Sequence, residues 1–212
     1  MVQLVGLNPH EEILVTGLIA QFSSDEFLMG ELRRVEKRPL AGYNGLVEPT
    51  VCHRSDRFDM TMLLASTNPF TLAHELAHVS DISTRRRESR DHLSLAMPNG
   101  WHLAHRMSSE YYANRIACRY ADEADIFLAF KSDHAGFRQA IADSDWAGVL
   151  IYYALLLGIM HGMGQLDCDP LRLIAAPQDL PRAVLDGIEA FRHQSVGFFD
   201  GYGTDTDLAE AA

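Results

Sequence analysis

The sequence predicts an α+β protein in which one helix and a small sheet are followed by a mainly helical remainder. Asparagine–proline pairs at 8–9 and 68–69 mark two helix starts, because asparagine caps a helix and proline suits its first position. Between them, residues 57–65 alternate between the two faces of a strand. Beyond residue 100 the chain is interpreted as a series of helices.

The first helix is predicted over about 9–22. Asn8 is its cap and Glu11 lies in its first turn, where an acidic side chain is favourable. One face of this helix is apolar and consists of Ile13, Leu14, Leu18 and Ile19.

Short strands are predicted in the segment that follows, which has turn signals at 41–42, 44–45 and 55–56. The clearest strand is 57–65. Together these strands predict a small antiparallel or mixed sheet. The edge of strand 57–65 could accept an extended peptide as an added strand, or it could be covered by a polar loop at 83–100.

A second helix is predicted from Pro69 to about residue 82, followed by the loop at 83–100. Further helices are predicted at 102–130, 133–143, 145–162 and 178–194. The interpretation is one domain over 1–200, with a sheet-containing part at about 1–82 and a helical part at about 102–195. Residues 201–212 are predicted to be a flexible tail.

The net charge of −11 argues against nucleic acid as a partner, because nucleic-acid binding needs a basic face. The basic run at 84–90 is interpreted as a solvated loop. The cysteines, three in number, lack the spacing of a disulfide framework, and the first residues do not resemble a signal peptide. These features favour a cytoplasmic location.

The segment 146–164 carries no formal charge apart from His161 and approaches the length of a membrane span. Its flanks are acidic and lack the basic residues that anchor spans. We therefore expect a helix buried in the protein core and no association with a membrane.

The segment TLAHELAHVS at 71–80 contains the pattern His-Glu-x-x-His. On a helix, His74 and His78 lie about 40° apart in projection, so both imidazoles can reach one metal ion. Glu75 is offset by one position and can reach beside the ion, where a general base takes a proton from metal-bound water. The pattern predicts a catalytic zinc site.

A catalytic zinc site needs a third protein ligand. Glu110 is the leading candidate, and Asn114, one helical turn later, could hydrogen-bond the second nitrogen of a ligating histidine. Alternative third ligands are the nearby histidines and aspartate, namely His102, His105, His92 and Asp91.

Peptide hydrolysis also needs a donor for the developing oxyanion. Tyrosine hydroxyls and one histidine are the candidates: Tyr111, Tyr112, Tyr152, Tyr153 and His161. Tyrosines on helices also occur as packing residues at the edge of a core, so this role is open among them.

The segments 57–80 and 110–117, which contain HELAH and EYYAN, resemble the ImmA/IrrE-type metallopeptidases of the gluzincin group. The resemblance implies a zincin-like fold with zinc held by His74, His78 and Glu110, and with Glu75 as general base. It also implies cleavage of a polypeptide substrate, with a specific regulatory protein as one class. The alternative is a catalytically silent zinc-binding protein with a regulatory or interaction role.

Overall fold

The structure, a computed structural model, describes residues 2–42, 44–51, 58–84 and 99–199. Within these residues the chain is α+β and mostly helical, so this part of the prediction is confirmed. The strands of these residues form one four-stranded mixed sheet and are β1 (Gln3–Val5), β2 (Leu32–Lys37), β3 (Gly45–Val51) and β4 (Phe58–Leu64).

The helices of the described residues are α1 (Pro9–Ser24), α2 (Pro69–Thr84), α3 (Asn99–Ala117), α4 (Glu123–Ala142), α5 (Trp146–Gly162) and α6 (Arg182–Phe199). Two short 3-10 helices, Pro170–Leu173 and Pro177–Asp179, connect α5 to α6.

Strand β4 lies inside the sheet, whose order is β1-β2-β4-β3. It is parallel to β2 and antiparallel to β3. Its predicted alternation is confirmed from Phe58 to Met62, where every second residue is buried, whereas Leu63 and Leu64 are both buried. The expectation that this strand offers a free edge is wrong, because both of its sides are paired. Among the described strands, β3 is the edge strand that pairs with β4.

Both asparagine–proline helix starts are confirmed. The Asn8 side chain accepts a hydrogen bond from the Glu11 backbone, and the Glu11 carboxylate accepts one from the Asn8 backbone, which forms a capping box. At the start of α2, the side-chain oxygen of Asn68 accepts from the Thr71 backbone. Local chemistry therefore fixes where α1 and α2 begin.

The predicted helix over 102–130 is wrong. Helix α3 ends at Ala117, and Asp122 caps a new helix by accepting a hydrogen bond from the Asp125 backbone. Helix α4 then continues to Ala142 without the expected interruption near 131–132. The last helix begins at Arg182 instead of 178, because Pro177 and Pro181 both precede it.

The residues 85–98 and 200–212 lie outside the described residues. Three predictions therefore concern residues that the structure does not describe. They are the basic run after Thr84, the candidate ligands His92 and Asp91, and the predicted tail.

Helices α3 and α5 approach each other closely at Gly158. A methyl group on Gly158 would lie 2.4 Å from the carbonyl oxygen of Tyr111 and 3.1 Å from Cβ of Asn114. Residues 153, 154 and 156–161 of α5 are buried, as expected for a core helix. In the part of the chain that the structure describes, no helix combines the length and apolar character that crossing a bilayer requires.

We predict that Gly158→Ala lowers the free energy of unfolding by about 1–3 kcal/mol, because the added methyl group meets backbone atoms that cannot yield. Gly17→Ala is the matched control. Gly17 lies within α1 with nothing near its would-be side chain, so alanine should stabilise the helix by up to about 1 kcal/mol. Urea unfolding measures both effects, and a Gly158→Ala protein as stable as the wild type would contradict the close contact.

Candidate metal centre

Two helices bring three predicted ligands together. Helix α2 supplies His74 and His78 from one face, and α3 supplies Glu110. Their ligand atoms all lie within 4.8 Å of one another. Among the described side chains, this is the one group of three or more such residues that could hold a metal ion. The candidate His105 is not part of it, and the side chain of His102 is outside the described set.

The three ligand atoms form a nearly regular triangle. The two Nε2 atoms of His74 and His78 are 3.0 Å apart, and Oε2 of Glu110 lies 3.4 Å from the first and 3.5 Å from the second. A tetrahedral zinc ion with bonds of about 2.0–2.1 Å keeps its ligand atoms about 3.4 Å apart. The spacing therefore fits one face of a zinc coordination tetrahedron.

The second ring nitrogen of each histidine is also engaged. Nδ1 of His74 lies 2.7 Å from the side-chain oxygen of Asn114, and Nδ1 of His78 lies 3.1 Å from the hydroxyl oxygen of Ser109. A side-chain carbonyl oxygen only accepts, so Nδ1 of His74 donates, and in the neutral ring Nε2 keeps its lone pair. The contact with Asn114 fixes the orientation of the His74 ring, and the role of Asn114 beside a bound metal stays a prediction.

The group attracts positive charge. Burial alone would lower the pKa of His74, but Glu110 and Glu75 outweigh it and raise the pKa to about 9. Burial alone would raise the pKa of Glu110, yet its hydrogen bonds to His74 and His78 hold that pKa well below the usual range. Without a metal, a bound proton supplies the positive charge that these converging donor atoms require.

Glu75 is almost completely buried next to this group, and the backbone of β3 passes directly beside it. A methyl group on Gly45, the first residue of β3, would lie 2.5 Å from the Oε1 atom of Glu75. Burial raises the pKa of the Glu75 carboxyl, Glu110 acts in the same direction, and His74 and His78 only partly oppose them. The fold therefore holds a basic carboxylate between the histidine pair and the sheet.

The oxyanion candidates bond to other groups. The Tyr111 hydroxyl lies 2.7 Å from Nδ1 of His161, and the Tyr153 hydroxyl donates to Asp169. Tyr112 is buried, and its pKa is raised first by burial and then by the charge of Asp81.

The remaining candidate, Tyr152, has its ring packed against Gly136 of α4. The described contacts of these tyrosines and of His161 do not include the three ligand atoms, so the oxyanion role stays a prediction.

Three residues near the centre were missed by the sequence reasoning. Ser109 contacts His78, Gly45 leaves space for Glu75, and Arg106 places its Nε atom 3.6 Å from the Oε1 atom of Glu110. Arg106 is one helical turn before Glu110, which is a signal the sequence contains. Ser109 and Gly45 have no comparable local signal, because tertiary packing creates their contacts.

The described residues thus define a mostly helical α+β protein with a His-His-Glu group that could hold a metal ion. The chain matches no protein-family model, and comparisons with curated proteins and with solved structures find no significant match.

We predict that zinc raises the Tm of the metal-free protein, because an ion that binds only the folded state stabilises it. His78→Ala should remove this increase by deleting one of the three ligands. His193→Ala, a substitution at an exposed histidine of α6, should retain it. Thermal unfolding with zinc and with a chelator measures the difference, and an equal zinc response in wild type and His78→Ala would contradict the ligand set.

A pH dependence follows from the raised pKa of His74 in the metal-free protein. A folded-state pKa raised from 6.5 to about 9 adds stability that is complete below pH 6.5 and is lost as the pH rises through 9. The stability advantage of metal-free wild type over His74→Ala should therefore shrink across this range. Urea unfolding of both proteins at several pH values tests this, and an advantage that grows with pH would contradict it.

Proposed function

We propose that this protein is a zinc-dependent metalloendopeptidase, a cytoplasmic hydrolase that uses Glu75 as general base. The observation that carries the proposal is the position of buried Glu75 beside the His74, His78 and Glu110 triangle. Two histidines and one glutamate are a donor set of catalytic zinc sites, and they leave a fourth position open. The resemblance of segments 57–80 and 110–117 to ImmA/IrrE-type metallopeptidases supports the same zincin-like assignment.

The proposed mechanism assigns the proton transfers to Glu75. A zinc ion held by His74, His78 and Glu110 would supply a Lewis acid that makes water more acidic and polarises a carbonyl. Glu75 accepts a proton from the attacking water and passes it to the nitrogen of the leaving amine.

The edge of β3 is the proposed site for the substrate backbone. The Ala65 backbone donates to the carbonyl oxygen of Asn44, so Asn44 faces β4. Backbone groups alternate along an antiparallel strand, so those of Gly45, Val47 and Pro49 point away from β4. Proline fits such an outward position, where no bond to the neighbouring strand is lost.

An extended peptide could therefore add to β3 through the N–H and C=O groups of Gly45 and Val47. Glu75 contacts the sheet at Gly45, so a peptide bonded there would pass next to the base. At Pro49 the outward edge has a carbonyl oxygen but no N–H donor. The proposed substrate is an extended segment of a polypeptide, for which a regulatory protein is the class that the resemblance implies.

We predict that Glu75→Gln keeps zinc but lowers the rate of peptide cleavage by about 10²–10⁴-fold, because glutamine cannot accept the proton. The assay measures cleavage of a fluorogenic peptide library together with zinc content. Glu189→Gln, on the exposed surface of α6, is the control and should behave as wild type.

A Glu75→Gln protein that cleaves at the wild-type rate would contradict the mechanism. A wild-type protein that holds zinc but cleaves none of these peptides would favour the alternative of a zinc-binding regulatory or interaction protein.

A further inference from the structure

Two carboxylates, the buried Asp81 and the half-buried Asp133, lie behind the histidine pair. Asp81 lies on α2, seven residues after His74 in sequence, and Asp133 lies on α4. Each is joined to one histidine through a neutral side chain of α3. The two bridging residues, Ser109 and Asn114, lie on either side of Glu110 along that helix.

The first chain of hydrogen bonds runs from His78 through Ser109 to Asp81. The Ser109 hydroxyl donates its proton to Oδ2 of Asp81 at 2.8 Å. Because a serine hydroxyl has one proton and a carboxylate only accepts, the Ser109 oxygen is left to accept from the third member. Nδ1 of His78, 3.1 Å away, must therefore carry a proton, and Nε2 of the neutral ring keeps its lone pair.

The second chain runs from His74 through Asn114 to Asp133. The two N–H groups of the Asn114 amide donate to Oδ2 of Asp133 and to the carbonyl oxygen of Leu155, each at 3.0 Å. A reversed amide would place its oxygen against these two acceptors. Asn114 is 1% exposed, so water cannot relieve that repulsion. Its oxygen therefore faces Nδ1 of His74, which must donate.

Both chains have the same consequence at the metal position. Each directs the Nε2 lone pair of one histidine to the point where Glu110 also lies. The other neutral tautomer of either ring would direct an N–H group to that point and block a cation. The neutral bridges achieve this without adding negative charge next to the rings. Zinc bound to two neutral imidazoles and one carboxylate keeps a net positive charge, which a Lewis acid needs.

We propose that Asp81 and Asp133 are positioning residues that fix the tautomers of His78 and His74 through Ser109 and Asn114. Neither carboxylate belongs to the group of three side chains that could hold the ion. The inference rests on the proposed zinc site. It adds that Asp81 and Asp133 each act by supplying a hydrogen-bond acceptor, and that their negative charge is not required.

The test compares Asp81→Leu and Asp133→Leu with Asp81→Asn and Asp133→Asn. Leucine removes the acceptor at similar volume, and we expect zinc affinity to fall by about 10–100-fold for each variant. Asparagine offers a carbonyl oxygen to the same donor, so affinity should stay within about threefold of wild type. Asp167→Leu, at an exposed loop residue, is the control. Competition with a chelator of known affinity measures all five variants.

A second readout does not depend on how well the leucine variants fold. Long-range ¹H–¹⁵N spectra of the zinc-loaded wild type should show His74 and His78 protonated on Nδ1 and coordinated through Nε2. Coordination of either ring through Nδ1 overturns the inference.

The measured zinc affinities distinguish the positioning role of Asp81 and Asp133 from the zinc site itself. Folded leucine variants with wild-type affinity overturn the positioning role and leave the zinc site intact. Asparagine variants as weak as the leucine variants overturn the claim that the acceptor suffices. A wild-type protein that binds no zinc overturns the metal site and this inference together.

Discussion

The close approach of α3 to α5 is the constraint on which the candidate metal-binding group of His74, His78 and Glu110 depends. Helix α3 carries Glu110 and both bridging residues, so any displacement of this helix moves all three relative to the histidines of α2. Gly158 permits the approach, because the carbonyl oxygen of Tyr111 occupies the space of a side chain there. The Asn114 amide can then reach a backbone carbonyl of α5. Helix packing thus sets the distances among the ligand atoms.

The converging atoms of His74, His78 and Glu110 need a positive charge between them. Two imidazole lone pairs and a carboxylate oxygen converge within 3.0–3.5 Å on side chains that are half-buried. Their mutual repulsion is relieved by a proton in the metal-free protein, as the raised pKa of His74 indicates. A divalent cation would relieve it more completely. Metal binding, stability and the proposed chemistry are therefore linked through the same few atoms.

The features that the sequence predicts correctly depend on neighbouring residues. The pairing of His74 with His78 follows from helix periodicity, and the start of α2 follows from capping by Asn68. The break after Ala117 was missed, because residues 118–122 contain no glycine or proline that would signal the end of a helix.

Contacts between distant segments were also missed. Asp133 reaches Asn114 only because α3 and α4 both pack against α5, and Gly45 meets Glu75 only because β3 joins the sheet beside α2. Likewise, the choice of Glu110 over the other candidate third ligands could be argued from sequence, but the distance from Glu110 to the histidines is a product of packing.

The zinc K-edge absorption spectrum of the zinc-loaded protein is the most direct test of the proposed His-His-Glu zinc site. Zinc held by His74, His78 and Glu110 should show nitrogen and oxygen neighbours at about 2.0–2.2 Å with the scattering pattern of two imidazoles. Sulfur neighbours at about 2.3 Å, or a shell without two imidazoles, would contradict it.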